Sequence, residues 1–496
     1  MNKLFDRLFI FEMANNHQGD INHGIKIIRE IGKIARKNSI KAGVKFQYRN
    51  LECFIHPSHL IETKNKHIPR FLNTKLTSAE FMTMIEVIKD EGLISICTPF
   101  DEESVNQVMD HGIQIIKIAS CSANDWPLLE AISTIKKPVV ASTGGLNLTQ
   151  IDNLVSFFSH RNVDFALLHC VGIYPTPNDK INMNFISKLK NRFYNIAIGY
   201  SGHENPDNYD VVKVAISKGA NILERHVGLS TENIKLNAYS LNPEQVQRYV
   251  ESSLIAYEIC GESQEKRITQ EEIDSLNSLK RGVFSRSEIK KGESIDKSKV
   301  FFAFPSDDKQ TTTFDYHVTM IASKNYSKNE PIEEERLVRN RIDLIRSIVH
   351  EVKGMLNESK IVIGNEVKIE LSHHYGIEHF RRFGAVIIDV INRSYCKKIL
   401  VVLPGQYHPK HYHKIKEESF QLLSGDLEIM LGNVKKNLIP GDIFLIEIGI
   451  PHSFSSINGA IFEEVSTTHI KGDSVYEDEE INKKDLIERK TVLENW

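Results

Sequence analysis

Between Leu8 and His226 the chain repeats one pattern, a short apolar run followed by a stretch long enough for a helix. The runs read RLFIFE, AGVKFQ, LISICT, QIIKIAS, PVVAS, DFALLH, NIAIGYS and NILERH. Short apolar runs of this kind, rich in β-branched and aromatic residues, read as buried strands. The stretches between them carry helical spacing: in INHGIKIIREIGKIARK, Ile21, Ile25, Ile28 and Ala35 share one face. Alternating strands and helices predict a parallel sheet, and eight such units predict an α/β fold of the (β/α)8 TIM-barrel type. The strand ends are polar where packing alone would place Val, Ile or Leu. They deliver Glu12, Lys45 and Gln47, Thr98, Lys117 and Ser120, Ser142, His169, Ser201 with His203, and Glu224 with His226. In such a barrel the C-terminal strand ends form the active site.

Past this region the pattern changes. The helix LNPEQVQRYVESSLIAYEICG closes the barrel, which is expected to span 1–262. The charged stretch ESQEKRITQEEIDSLNS reads as a linker. RSEIKKGESIDKSKVFF and SKNYSKNEPIEEERLV then share an order of basic residues, Gly or Asn, an acidic residue and Ile. They predict a small, internally repeated β-rich module over 278–338. Residues 339–357 read as a helical connector with Ile342, Ile345, Ile348 and Val349 on one face, and 358–480 as an all-β domain. The charged tail from Tyr476 is expected to pack loosely.

Composition narrows the function classes. The chain of 496 residues can hold several domains, and 41% hydrophobic with 26% charged residues is ordinary for a soluble globular protein. A net charge of −3 gives no reason to expect nucleic acid or an anionic membrane as partner. No apolar run is long enough to span a bilayer, and the start lacks a signal-peptide pattern. Six scattered cysteines with no CxxC pair suit reduced thiols in a cytoplasm.

His203 and His226, on consecutive strand ends, can chelate one divalent metal and leave positions open for water and substrate. Lys45 and Lys117 point to an anionic substrate, a phosphate or carboxylate, with Thr98, Ser120, Ser142 and Ser201 as neutral donors. Glu12 can bind a hydroxyl or act in acid–base chemistry. A Schiff-base lyase would centre on one Lys without metal histidines, and a non-enzymatic scaffold has no use for charged strand ends.

The ordered segments EMANNHQGD, VKFQ, CTPFD, KIAS, VVASTGG, LHCVGIYPTP, GYSGH and LERHVGL resemble the sialic acid synthase family. The resemblance covers residues 8–260 and, weakly, an antifreeze-like domain at 278–338. It implies condensation of phosphoenolpyruvate with an open-chain N-acyl-hexosamine or a deoxy-hexose derivative, giving a nonulosonic acid and phosphate. It implies that His203 and His226 bind manganese, and that Lys45, Thr98, Lys117, Ser120, Ser142 and Ser201 hold phosphoenolpyruvate. Glu12, Gln47 and Tyr174 match positions facing the sugar, and Glu224 a further acidic residue of the site, with Glu12, Lys117 and Glu224 in the catalytic roles. A cytoplasmic homodimer is expected. The rival within the same chemistry is a 3-deoxy-aldulosonate synthase acting on a phosphorylated sugar, which would want extra Arg; Arg49 and Arg225 are the nearby ones.

The chain departs from the family at three places. Gly172 replaces an Asn, Leu236 and Asn237 stand where Asp and His are usual, and Phe304 rather than Arg precedes Pro305. The altered positions are on the sugar side, so an unusual acceptor is expected, less polar where Gly172 and Leu236 stand.

GQYHPKHYHKIKEESFQLLSG fits the cupin spacing G-x5-H-x-H-x4-E-x6-G through Gly405, His411, His413, Glu418 and Gly425. A second segment from Gly441 supplies Gly449 and His452, with Glu447 and Ser456 in place of the usual Pro and Asn. His411, His413, Glu418 and His452 are expected to bind a transition metal such as zinc, manganese or iron. Two roles fit this domain: sugar isomerisation, making the chain bifunctional, or binding and assembly.

Overall fold

The computed structural model describes residues 3–61, 64–261, 266–333, 341–364 and 366–495. Parts of the expected segments, residues 1–2, 262, 334–338, 339–340 and 365, lie outside the described residues. The chain divides into two compact units, Met1–Lys266 and Arg267–Trp496. Among the described residues no helix is long and apolar enough to cross a membrane.

The first unit is a closed barrel of eight parallel strands in sequential order. They are β1 (Leu8–Glu12), β2 (Lys41–Tyr48), β3 (Ile94–Pro99), β4 (Ile115–Ile118), β5 (Val139–Ser142), β6 (Phe165–Cys170), β7 (Ala197–Gly202) and β8 (Ile222–His226). Side chains along a strand alternate between its two faces. Leu8, Ile10, Ile96, Ile115, Val140, Ala166, Leu168, Ala197 and Ile222 fill the lumen. Their neighbours Phe9, Phe11, Val44, Phe46, Ile116, Leu167 and Tyr200 face the surrounding helices. Burying each such large apolar side chain stabilises the unit by about 1.5–3 kcal/mol. One step up from the apolar lumen layer, the same alternation turns Glu12, Thr98, Lys117, Ser142, Ser201 and Glu224 inward. The barrel-closing helix Pro243–Cys260 starts at a capping box between Asn242 and Gln245 with Pro at its first turn, and stops at Gly261.

The second unit begins with a helix where a linker was expected. Thr269 accepts from the backbone N–H of Glu272 and caps Gln270–Asn277. A small β module follows, with β9 (Gly282–Ser285) antiparallel to β10 (Val300–Ala303) around Val283, Ile289, Ile295, Met320, Tyr326 and Ile332. The two similar segments pair with each other: Ile289 and Tyr326 exchange backbone hydrogen bonds at 2.9 and 2.8 Å. Each then makes the same turn, with Gly292 and Asn329 in the left-handed region. In each, the following Glu accepts from a backbone N–H three residues back, Lys290 for Glu293 and Ser327 for Glu330.

The helix Arg341–Glu358 buries Ile348, Val352 and Leu356, spaced four apart, against the core of the last domain. That domain is two packed sheets. Its strands are β11 (Lys368–Ser372), β12 (Ala385–Asn392), β13 (Tyr395–Val402), β14 (Tyr407–His413), β15 (Glu418–Gly425), β16 (Leu427–Leu431), β17 (Val434–Leu438), β18 (Ile443–Ile446), β19 (His452–Ser455), β20 (Ala460–Thr467), β21 (Ser474–Tyr476) and β22 (Lys490–Leu493). One sheet runs β18-β15-β20-β13-β12-β11-β22 and the other β17-β16-β19-β14-β21. Gly425 ends its strand at φ +85°, where a Cβ would stand 1.9 Å from Gly459 O; only glycine fits. The tail is not loose. Tyr476 and Ile481 are buried, and β22 pairs with β11 from Ile369↔Leu493 to Ser372↔Lys490. Four β-compatible residues, KTVL, are enough to continue a sheet whose neighbouring edge is already apolar.

Candidate functional site

The inward layer at the top of the barrel floors a cavity of about 840 Å3. It brings together Glu12, Lys45, Gln47, Thr98, Lys117, Ser120, Ser142, Tyr174, Ser201, His203, Glu224 and His226, so of the strand-end residues expected at the site all but His169 line one space. At its base the charges form a chain. Lys45 contacts Glu12 and lies 3.2 Å from Glu224, which lies 3.9 Å from Lys117. Lys117 Nζ donates to Ser142 Oγ at 2.6 Å and Ser201 Oγ donates to Glu224 at 2.8 Å. All four charged groups are buried.

Burial pulls the Lys117 ammonium down to about 8, aided by the charge of Lys45 and opposed by Glu224. Burial works against the charge on Glu224 too, but Lys117, Lys45 and the Ser201 hydroxyl more than offset it and hold its carboxyl at about 2. Glu12 goes the other way: burial, with Glu224 beside it, raises its carboxyl pKa despite Lys45. One carboxylate is thus locked in the ionised form while its neighbour takes up a proton more readily, the separation that acid–base work requires.

Beside this chain stand the two histidines, ring centroids 5.3 Å apart. Burial keeps both neutral, lowering His203 to about 4 and His226 well below its ordinary value. His203 Nδ1 faces Val171 O at 3.2 Å, which leaves Nε2 as a free donor atom. Two neutral imidazoles, His203 buried with its second nitrogen already engaged and His226 half-buried, fit a divalent cation. Tyr174 packs on His203 at 4.2 Å, and Tyr239 packs edge-on to His226 at 5.0 Å. Tyr239 was missed in the sequence, where LNAYS drew notice only for Leu236 and Asn237. Of those two Asn237 lines the cavity; Leu236 and Gly172 do not. The expectation of an acceptor less polar at those positions therefore loses its basis. His169 points outward: its neighbour Leu168 takes the lumen position, and His169 Nε2 is engaged with Ile181 O at 2.6 Å.

The last domain gathers a second group. His411, His413 and His452 offer ligand nitrogens within 4.8 Å of one another. Glu418 Oε1 lies 3.2 Å from His413 Nε2, and its Oε2 lies 3.4 Å from His452 Nε2. All four predicted residues therefore converge. His411 Nδ1 is engaged by Pro409 O and His452 Nδ1 by Ile450 O, both at 3.1 Å, and His413 Nδ1 by Ser474 Oγ at 3.3 Å. The Nε2 atoms of His413 and His452 and Glu418 Oε2 are buried without hydrogen-bond partners. Nitrogens oriented by backbone and hydroxyl groups, with orphaned inner lone pairs, fit a transition metal. Lys416 was missed, although it lies inside the motif. It is buried against Glu418 and reaches Glu464 at 2.9 Å. The cavity here has room for only about 60 Å3.

The NeuB family pattern matches residues 34–265 and the cupin domain pattern matches residues 398–461. An uncharacterized protein of Methanocaldococcus jannaschii is 32% identical over 299 residues, 60% of this chain and 84% of that protein. The chain belongs to the NeuB family. Among its NeuB relatives, the N,N'-diacetyllegionaminic acid synthase of Campylobacter jejuni is 27% identical, over 66% of this chain and 99% of its own length. A putative spore coat polysaccharide biosynthesis protein E from Chromobacterium violaceum has a solved structure that superposes with a TM-score of 0.64 at 41% identity. It covers 67% of this chain and all of its own. The matched NeuB portion carries every expected residue of the barrel site but Glu12, which precedes it.

Proposed function

We propose that the barrel of this NeuB-family enzyme joins phosphoenolpyruvate to the aldehyde of an open-chain N-acyl-hexosamine-type aldose, giving a nonulosonic acid and inorganic phosphate. The observation that carries it is Lys117, a fully buried ammonium among hydroxyls at the base of a cavity that also holds two neutral histidines. Lys45, Lys117, Thr98, Ser120, Ser142 and Ser201 bind the phosphate and carboxylate and hold them as charge shifts. His203 and His226 hold the divalent cation, manganese in the resembling family, which supplies Lewis-acid polarisation of the aldehyde oxygen. C3 of phosphoenolpyruvate forms the new bond to the aldehyde carbon. Water then adds at C2, and the C2–O bond to phosphate breaks. Glu12, with its raised pKa, is suited to exchange protons with water and the new hydroxyl, while Glu224 stays ionised and fixes both lysines. Gln47 and Tyr174 face the sugar.

The test is phosphate release by the manganese-loaded full chain. It should depend strictly on an aldose, with a product whose mass equals the sum of both substrates plus water minus phosphoric acid. Lys117→Ala should lower the rate by one to two decades, since a charge-assisted buried contact contributes roughly 1.5–3 kcal/mol. Aldose-independent phosphate release would sink the reading.

For the cupin portion we propose a metal-binding, assembly-type role rather than sugar isomerisation. A space of about 60 Å3 is far below the roughly 300–1,000 Å3 of a small-molecule pocket. Conversion of any aldose to a ketose by the full chain, abolished in His411→Ala, would reverse that choice.

A further inference from the structure

Resting on the metal reading of the last domain, we infer that Lys398 and His469 form an anion site in its interior, beside the four metal ligands, which takes a small carboxylate. Strands of the seven-stranded sheet turn alternate residues into the space between the two sheets. In β13 the inward set is Lys398, Leu400 and Val402, while Ile399 and Val401 pack with the helix Arg341–Glu358. Leu400, Phe420 and Phe462 belong to the apolar floor of that space. Two residues away on the same strands stand Lys398, Glu418 and Glu464, so the floor carries a charged layer.

Most charges of this layer are matched. Glu370 pairs with Lys490 at 2.7 Å, and Lys416 is shared between Glu418 and Glu464. Lys398 is the exception. It is 5% exposed, with Asp389 and Glu464 as its register partners on the two neighbouring strands. Opposite charges in such positions ordinarily attract and close. Here, among the described residues, no ion pair or hydrogen bond reaches the Lys398 ammonium. It lines instead the cavity of about 60 Å3 that His411, His413 and Glu418 also line. Burial raises the Asp389 carboxyl pKa, and Lys398 offsets this only in part. An unpaired buried ammonium costs stability, and a bound anion offsets that cost.

His469 supplies the second contact. Its Nδ1 is buried without a hydrogen-bond partner, and its ring lines the same cavity. Burial keeps that ring neutral, helped by the nearby charges of Lys398 and Lys416, and His413 also lies within electrostatic reach of it. His469 therefore stands near both the unpaired lysine and a metal ligand. A neutral imidazole can donate from Nδ1, so the two oxygens of one carboxylate can take an ammonium and a ring N–H together. A divalent cation on the histidines adds positive charge to the same space. At roughly 10–15 Å3 for each water-sized atom, the cavity holds about four to six of them. That admits acetate, glyoxylate or pyruvate and excludes sugars and phosphoenolpyruvate.

The experiment titrates glyoxylate by calorimetry into the metal-loaded full chain carrying Lys117→Ala, which disables the donor site of the barrel. The same chain with Lys398→Met, or with His469→Phe, is titrated beside it. Lys398→Met should raise Kd at least tenfold and His469→Phe at least threefold, with metal content unchanged by elemental analysis. Unchanged affinity in either variant overturns the site, as does a metal-loaded chain that takes no glyoxylate. Met removes an unpaired charge at similar volume, so the ligand-free Lys398→Met protein should unfold at no lower denaturant concentration than its parent. Earlier unfolding shows that Lys398 serves the fold and overturns the proposal. Chloride or 2-oxoglutarate binding as tightly as glyoxylate also overturns it, since one lacks the second oxygen and the other exceeds the space. If the last domain proves to hold no metal while glyoxylate still binds and Lys398→Met weakens it, the metal reading fails and the anion site stands.

Discussion

Lys117 shows how far burial sets chemistry at the scale of one residue. Its ammonium titrates near 8 rather than in the usual lysine range. A base with a lowered pKa loses its proton as pH rises through that lowered value, so below about pH 8 the group is a cation and above it is not. Since kcat/KM reports the free enzyme, kcat/KM for phosphoenolpyruvate should fall roughly tenfold per unit above about pH 8. A profile flat to pH 9.5 would contradict a role for this ammonium. His411 allows a second prediction. With its outer nitrogen engaged by Pro409 O and its ring buried, it has one free donor atom. His411→Ala should therefore lower the bound transition metal by about one equivalent per chain, measured by elemental analysis after dialysis. Residue types at strand ends made these groups legible from sequence. What sequence could not show was that Glu224 is shared by two lysines, or that Lys416 turns in beside Glu418; both depend on distances between strands.

At the scale of elements, strand parity does most of the sorting. Glu12, Lys117, Ser142, Ser201 and Glu224 sit an even step from the apolar lumen residues of their strands, and His169 an odd step from Leu168. The parity was available in the sequence; without the lumen assigned, strand ends alone counted His169 with the rest. The apolar runs, the Asn242 cap and the repeat that gives Gly292 and Asn329 their common turn were all readable, because each is a local signal. The β22 pairing was not, since an edge strand of four residues amid charges owes its place to a partner more than a hundred residues earlier. The loop after β7 is tied to strand β8 by a buried pair, Glu204 with Arg225, and Tyr200 Oη also donates to Glu204 at 2.9 Å. These residues adjoin His226 and His203, so the pair sets the spacing of the two imidazoles. Glu204→Gln leaves Arg225 an uncompensated buried charge, and should destabilise the barrel by about 3–5 kcal/mol in denaturant titrations. It should also weaken divalent-cation binding. A stability change under 1 kcal/mol would show the pair to be dispensable.

The whole molecule is two compact units with separate cores. Calorimetry of the full chain should resolve two unfolding transitions rather than one cooperative event. Truncation after Lys484 removes β22 and bares the β11 edge beside Ile369 and Leu371. It should lower one transition and leave the other in place; an equal shift of both would mean the units unfold together.

The chain of Glu12, Lys45, Glu224 and Lys117 carries as many negative as positive groups. An interior of that kind behaves as an ion exchanger that already holds its counter-ions. A trianionic donor enters only by displacing carboxylate from ammonium, and a displaced, buried Glu12 has its raised pKa raised further. Binding should therefore draw a proton from solution. The heat of phosphoenolpyruvate binding should then differ between phosphate and Tris buffers at one pH, in proportion to their own heats of ionisation.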